Sequence, residues 1–207
     1  LAALREPLAC DNNPRVAEPD EVDGWPRPAA QRRRVVVVGA GVAGLEAAWV
    51  AAARGHRVTL FGRSAAVGGK ARWRARLPGG EAVSSVYDYQ QAAATRAGVR
   101  FELGVVAGLD EILACEPDQV ILATGAEMVA PVWLPAKALE GGWVPDLRAA
   151  IAELLRHAGR QPGTAVIYDM DHFDATYACA ELLHDRFERV VVVTPRDTIA
   201  TETPLVV

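Results

Sequence analysis

The stretch Arg34-Val35-Val36-Val37-Val38-Gly39-Ala40-Gly41-Val42-Ala43-Gly44-Leu45-Glu46-Ala47-Ala48 leaves this chain few folds to choose from. Four β-branched residues in succession predict a strand buried on both faces, and the small, helix-forming residues after Gly41 predict a helix directly behind it. Gly39, Gly41 and Gly44 occupy the three glycine positions of G-x-G-x-x-G at the junction. In a dinucleotide turn the first glycine permits the tight bend, the second lets a pyrophosphate approach the backbone, and the third lets helix and strand pack closely. A diphosphate there meets the partial positive charge of a helix N-terminus. The motif alone is weak because Gly-rich turns are common, but the strand before it and the helix after it are the context it requires. The apolar window 35–53 also admits a membrane helix; three glycines and Glu46 inside it, and the strand-like valines, argue against that.

With 207 residues, 23% of them charged, and a formal charge of −4, the chain fits a soluble α/β protein of one large or two small domains. That charge implies no bulk affinity for nucleic acid. Cys10, Cys115 and Cys179 are odd in number and widely spaced, so no disulfide framework is expected and a reducing cytoplasm is the default. Nothing resembles a signal peptide. A start without Met and a stop at Pro204-Leu205-Val206-Val207, just past a strand-like run, suggest a piece of a longer polypeptide.

Residues 1–34, rich in proline and without periodicity, read as a connector, in which Cys10-Asp11-Asn12-Asn13-Pro14-Arg15-Val16 is the informative patch. A first nucleotide-binding domain is expected over 35–130. Its second strand is Arg57-Val58-Thr59-Leu60-Phe61, at whose end a dinucleotide site normally places an acid about 20 residues beyond the glycines. Gly62 holds that place, followed by Arg63 and Ser64, and no acid occurs between Glu46 and Glu81. The same interval carries seven basic residues, from Arg54 to Arg76, which favours phosphate over ribose recognition. Three readings stay open: Arg63 and Ser64 bind a 2′-phosphate, the adenosine of FAD or ADP is held without a carboxylate, or the site has decayed.

Val67-Gly68-Gly69-Lys70 offers backbone amides to a second side of a diphosphate, or is an ordinary turn. Farther on, a helix over 84–97, a strand at Val99–Leu103, a helical turn at Leu109–Leu113 and another buried strand from Gln119 lead into Thr124-Gly125, a turn able to close over a nucleotide. Residues 131–145, with their prolines and Gly141-Gly142, mark a crossover into a second lobe at 146–207. There the pattern predicts a helix near Asp146–His157 with Leu147, Ile151, Leu154 and Leu155 on one face, then strand Thr164–Tyr168, helix Ala175–His184 and strand Arg189–Val193. The turn of this second β-α-β unit carries Asp169, Asp171 and Asp174 where a dinucleotide turn has glycines. These carboxylates are expected to cap the helix and to repel a pyrophosphate. Cys115 and Cys179 read as core residues, and the four histidines lack ligand spacing.

The ordered set Cys-x-x-Asn-Pro, Gly-Ala-Gly-Val-Ala-Gly-Leu-Glu-Ala-Ala, Gly-His-Arg-Val-Thr-Leu-Phe, Val-Gly-Gly-Lys, Leu-Ala-Thr-Gly-Ala and Val-Ile-Tyr-Asp resembles the middle and C-terminal part of the trimethylamine dehydrogenase and 2,4-dienoyl-CoA reductase family, large NADH:flavin oxidoreductases. The resemblance covers nearly the whole chain. It implies a Rossmann-like, glutathione-reductase-like FAD/NAD(P)-binding fold with an inserted, incomplete second β-α-β lobe, preceded in the parent by an FMN-bearing barrel and a 4Fe–4S cluster. Cys10 matches the last of the four cluster cysteines, its three partners lying upstream. The nucleotide, FAD or ADP, is expected to contact Gly39, Gly41, Gly44, Arg63, Ser64, Gly69, Lys70, Thr124 and Gly125. Gly62 departs from the family acid, and the three aspartates favour the amine dehydrogenase or demethylase branch, which the run Val193–Pro204 also resembles.

The expectation is therefore the nucleotide-binding part of a flavin-dependent, iron–sulfur oxidoreductase, cytoplasmic and homo-oligomeric in its parent form. The parent acts on a small-molecule substrate in the absent barrel and passes electrons to an acceptor protein, with no nucleic acid or membrane partner. No residue of this chain is expected to be catalytic, so the fragment alone is inactive. The alternatives are an FAD-dependent NAD(P)H reductase of the dienoyl-CoA reductase type, a non-catalytic ADP-binding module, and a Mg-dependent phosphotransferase suggested by Asp169-Met170-Asp171 after an apolar strand. Phe173 and the absence of later motifs weigh against the last.

Overall fold

A computed structural model of the protein describes Cys10, Val16, residues 26–156 and residues 159–200. Most of the expected connector, including Asp11–Pro14, the helix end expected at His157, and the run beyond Ala200 lie outside the described residues. The chain forms two compact units, one through Ala71 with Val83–Gly125, the other comprising Arg72–Ala82 and the chain from Ala126.

The first unit is a parallel sheet in the order β3-β2-β1-β4, with β1 at Arg34–Val38, β2 at Arg57–Gly62, β3 at Arg100–Leu103 and β4 at Gln119–Leu122. Parallel neighbours need crossovers. α1 (Val42–Ala53) supplies the first and α3 (Ser84–Arg96) the second, while α4 (Leu109–Ala114) leads into β4. The valine run occupies an inner position because it is apolar on both faces: Val35, Val36 and Val37 are buried between the flanking strands and helices. α1 lays Leu45, Ala48, Trp49 and Ala52 into the same core as Val58 and Leu60. Truncating Leu45 or Leu60 to Ala here costs about 2–5 kcal/mol. The carboxylate of Glu46 ties α1 to α3, accepting from Trp49 Nε1 at 2.6 Å and Gln90 Nε2 at 2.9 Å.

The expectation of a buried strand from Gln119 is corrected. β4 ends at Leu122 and all four of its residues are exposed, because among the described residues it has β1 alone beside it and little chain packed over its faces. Cys115 is likewise only partly buried, at the C-terminal end of the short α4 with its thiol donating to Glu111 O.

In the second unit β5 (Gln161–Tyr168) and β6 (Phe187–Val193) pair in parallel, joined by α7 (Asp174–Arg186). Before them come α2 (Ala71–Arg74), which straddles the division, a 3-10 turn at Glu81–Val83, α5 (Ala136–Glu140) and α6 (Leu147–Arg156). The face predicted for α6 is the one that packs: Ile151, with Leu147, Leu154 and Leu155 around it, meets Ala178, Cys179 and Leu182 of α7. Leu77, from the excursion after β2, joins this core. Arg74 fixes the excursion by pairing with Asp174 Oδ2 at 2.6 Å and donating to Pro78 O at 3.1 Å. Burial pushes the Cys179 thiol up to about 11, with Arg74 opposing the shift.

Candidate nucleotide-binding site

The β1–α1 turn is set between its neighbours by backbone bonds: Gly39 N–H donates to Phe61 O and Ala123 N–H to Val38 O, each at 2.8 Å. Gly39 has φ +114°, and a Cβ there would lie 2.1 Å from Ala123 O; a Cβ on Gly44 would lie 1.8 Å from Gly39 O. Those two glycines are demanded by the fold itself. Gly41 is different. Its φ is −80°, open to any residue, and the nearest atom to a Cβ there is Gly69 Cα at 4.0 Å. Packing alone therefore does not require glycine at this second position, where a phosphate approaches a dinucleotide turn.

The loop after β2 runs directly beside this position. Gly68 pairs with Gly41 as an isolated parallel bridge, its N–H donating to Ala40 O at 2.8 Å, and Gly69 lies against Gly41. Gly41 is also the N-cap of α1 and has no side chain to bond the free amides of the first turn, and no acidic residue lies in that turn. The helix N-terminus at Gly41 thus keeps its positive potential without an acidic side chain in the first turn. Lys70 follows Gly69 and is exposed. Arg63 and Ser64 are exposed just past the end of β2, and Thr124 and Gly125 are exposed just past β4, with φ +84° at Gly125. The structure thus places the expected contact residues at the C-terminal ends of β1, β2 and β4, with Gly41 and Gly69 in direct apposition. The direct bond from Gly68 to Ala40 was the part that sequence reasoning left unassigned, although the Gly68-Gly69 pair signalled it.

Cys10 is exposed, and among the described residues no group of three or more His, Cys, Asp or Glu could hold a metal ion. No helix of the described residues is long and apolar enough to cross a membrane.

The aspartate turn of the second unit departs from its expectation. Asp169 is not presented to solvent: it is 1% exposed, accepts the His172 backbone N–H at 2.9 Å and the Tyr177 hydroxyl at 2.6 Å. Asp171 accepts Phe173 N–H and the Thr176 hydroxyl, while Asp174 pairs with Arg74. The α7 N-cap is Phe173, so none of the aspartates is the capping residue. His172 is fully buried with φ +57°, and its Nε2 lies 2.9 Å from Thr194 Oγ1. The segment 194–200 thus runs from the end of β6 to the first turns of α7, where Ala200 N–H donates to the Tyr177 hydroxyl at 2.6 Å. Nothing in the local sequence pairs Tyr177 or Thr194 with this turn.

Residues 37–104 match the NAD(P)-binding Rossmann-like domain family. The chain is 41% identical over 124 residues to an NADH oxidase of Thermoanaerobacter brockii, covering 60% of this chain and 19% of that protein. It is 36% identical over 173 residues to a probable N-methylproline demethylase of Rhizobium meliloti, covering 83% and 24%. A solved 2-naphthoyl-CoA reductase superimposes with a TM-score of 0.75 at 26% identity, over 95% of this chain and 28% of that one. The chain spans only about a fifth to a quarter of the length of these two sequence relatives.

Proposed function

Because the chain is related to the nucleotide-binding part of the trimethylamine dehydrogenase and 2,4-dienoyl-CoA reductase family of NADH:flavin oxidoreductases, we propose that it is the adenine-nucleotide module of a longer flavin-dependent enzyme that oxidises a small N-methylated amine. The observation that carries the nucleotide assignment is Gly41, the one glycine of the turn not required by packing, at the N-terminus of α1 with the Gly68-Gly69 backbone beside it. In this reading the α1 N-terminus and the amides around Gly69 hold the diphosphate of FAD or ADP. Lys70 and Arg63 add positive charge, and Thr124-Gly125 close the nucleotide end. FAD in the site supplies electron transfer, whereas ADP serves only as a bound part of the fold. Cys10 is the last thiolate ligand of a 4Fe–4S cluster whose other ligands precede this chain, and the FMN and the substrate belong to a preceding barrel. The parent is a cytoplasmic homo-oligomer that delivers electrons to a separate protein.

The demethylase similarity and the closed aspartate turn support the amine branch. The NADH oxidase similarity supports the second reading, an FAD-dependent NAD(P)H reductase. Nucleotide released from purified full-length protein should chromatograph as FAD or ADP, and Gly41→Leu protein should release none; undiminished nucleotide from that variant refutes the assignment. Cys10→Ala should bleach the visible absorbance of the cluster, and an unaltered spectrum removes Cys10 from it.

A further inference from the structure

We infer that the free edge of β4, and the trough between β4 and α1, receive a further strand and the helix that follows it, both supplied by the parent polypeptide from outside this chain. The inference rests on the reading of the chain as part of a longer enzyme and not on the nucleotide. α1 is apolar all round, with Glu46 its one charged residue, and a helix of that kind is buried on every side. Leu45, Ala48, Trp49 and Ala52 enter the sheet core, and α3 packs along α1. Away from that core, Ala43, Ala47, Val50 and Ala51 border an open trough of about 490 Å³, with Ile121 of β4 across it. β4 has the same deficit. Val120, Ile121 and Leu122 are 43%, 36% and 72% exposed, although alternate residues of a strand point to opposite faces and a parallel strand apolar on both is normally covered on both.

The trough does not suit a small ligand, which needs convergent polar groups in a concave site. Two of its polar side chains are already engaged: the Glu46 carboxylate accepts from Trp49 and Gln90, and His56 Nδ1 accepts the Arg33 N–H at 3.1 Å. A second copy of the chain covers it poorly. Joined edge to edge through a two-fold axis, that copy brings its own β4 and no helix, so the trough between the two α1 helices stays open. The remaining source is the parent polypeptide, since this chain spans 19% and 24% of its two sequence relatives and 28% of the solved reductase. Handedness fixes the order of the two elements. α1 follows β1 and turns toward β2, away from β4. A helix on the same face that follows a parallel strand beyond β4 turns in the same sense, and so comes to lie over β4 beside α1. The small side chains at 43, 47 and 51 let that helix approach closely.

The test uses the full-length protein, its size established by intact mass. Ala47→Cys and Ile121→Cys variants are treated with a maleimide, natively and in urea, and labelling at each new thiol is followed by peptide mass mapping. Both should react at least a hundredfold more slowly in the native protein, and rates within tenfold of the unfolded ones overturn the inference. Hydrogen exchange on the wild type decides the matter even if a variant fails to fold. With a strand on each side, the amides of 119–122 should exchange as slowly as those of β1; rapid exchange of alternate amides, as on a free edge, also overturns it. Protection that disappears when dilution dissociates the protein to monomers, followed by light scattering, assigns the edge to a second copy and refutes the proposed occupant. A native product no longer than this chain removes the longer-enzyme reading together with the inference, whereas a longer product with an open trough removes the inference alone.

Discussion

The Tyr177 hydroxyl donates to Asp169 Oδ2 at 2.6 Å, satisfying a carboxylate that is only 1% exposed. Burial, and then this bond, hold the phenol above its usual value. A raised folded pKa means that the native state holds the proton more tightly. The contribution is therefore complete below the unfolded value of about 10 and is lost as pH rises through the folded one. Tyr177→Phe should cost about 1–3 kcal/mol at neutral pH, the range for leaving a buried acceptor short of a donor. It should also flatten the decline in stability above pH about 10. Urea denaturation at pH 8 and pH 10.5 checks both; identical midpoints in wild type and variant contradict them.

The three glycines of the first turn should separate into two classes. Gly44→Ala places a methyl 1.8 Å from Gly39 O, and Gly39→Ala adds one 2.1 Å from Ala123 O at φ +114°. Both should lower stability by more than about 3 kcal/mol, in the range of severe overpacking and strain. Gly41→Ala meets nothing within 4.0 Å other than Gly69 Cα at that limit. It should leave the melting temperature of nucleotide-free protein within a few degrees of wild type while weakening nucleotide binding at least tenfold. Thermal melts paired with nucleotide titrations of the three variants decide the matter, and a Gly41→Ala protein that binds normally sinks it.

Cys179, fully buried and with its thiol pushed up to about 11 by burial, should be inert at neutral pH. Thiolate is the reactive form. Native protein treated with a maleimide at pH 7.5 should carry label on Cys115 and none on Cys179, as peptide mass mapping would show; unfolding in urea should expose Cys179. Rapid native labelling of Cys179 rules this out.

The first unit was legible because its determinants are local. The valine run, the glycine spacing and the first helix lie within twenty consecutive residues, and the periodicities of α3, α6 and α7 matched the helices observed. Exposure of β4 was not legible: Gln119–Leu122 is as apolar as an inner strand, and its burial depends on what packs over its faces, which is little among the described residues. The aspartate turn was misread for a related reason. Its charge was visible in sequence, but the groups that neutralise and bury it, Tyr177, Arg74 and the segment 194–200, are distant along the chain or several residues downstream.

The same turn governs whether a nicotinamide dinucleotide uses the second unit. Such a ligand binds at the C-terminal ends of the strands, over the turn between β5 and α7. That place is filled by His172, completely buried against Thr194, and is crossed by the segment that ends on Tyr177. Simple repulsion by three aspartates is not the obstacle, since Asp169 is shielded and Asp174 is paired. Admission instead requires breaking the bonds from His172 to Thr194, from Tyr177 to Asp169 and from Ala200 to Tyr177. At about 0.5–1.5 kcal/mol net for each of the two neutral bonds and about 1.5–3 for the one to a carboxylate, the cost reaches about 2.5–6 kcal/mol. Millimolar binding provides only about 4 kcal/mol in total. Mixing the full-length protein anaerobically with NADH or NADPH should therefore leave its flavin absorbance unchanged over the time in which an amine substrate reduces it. Prompt bleaching by either nucleotide restores the reductase reading, and locating the responsible site then requires the same experiment on a Tyr177→Phe variant, where opening of this crevice should accelerate the bleaching.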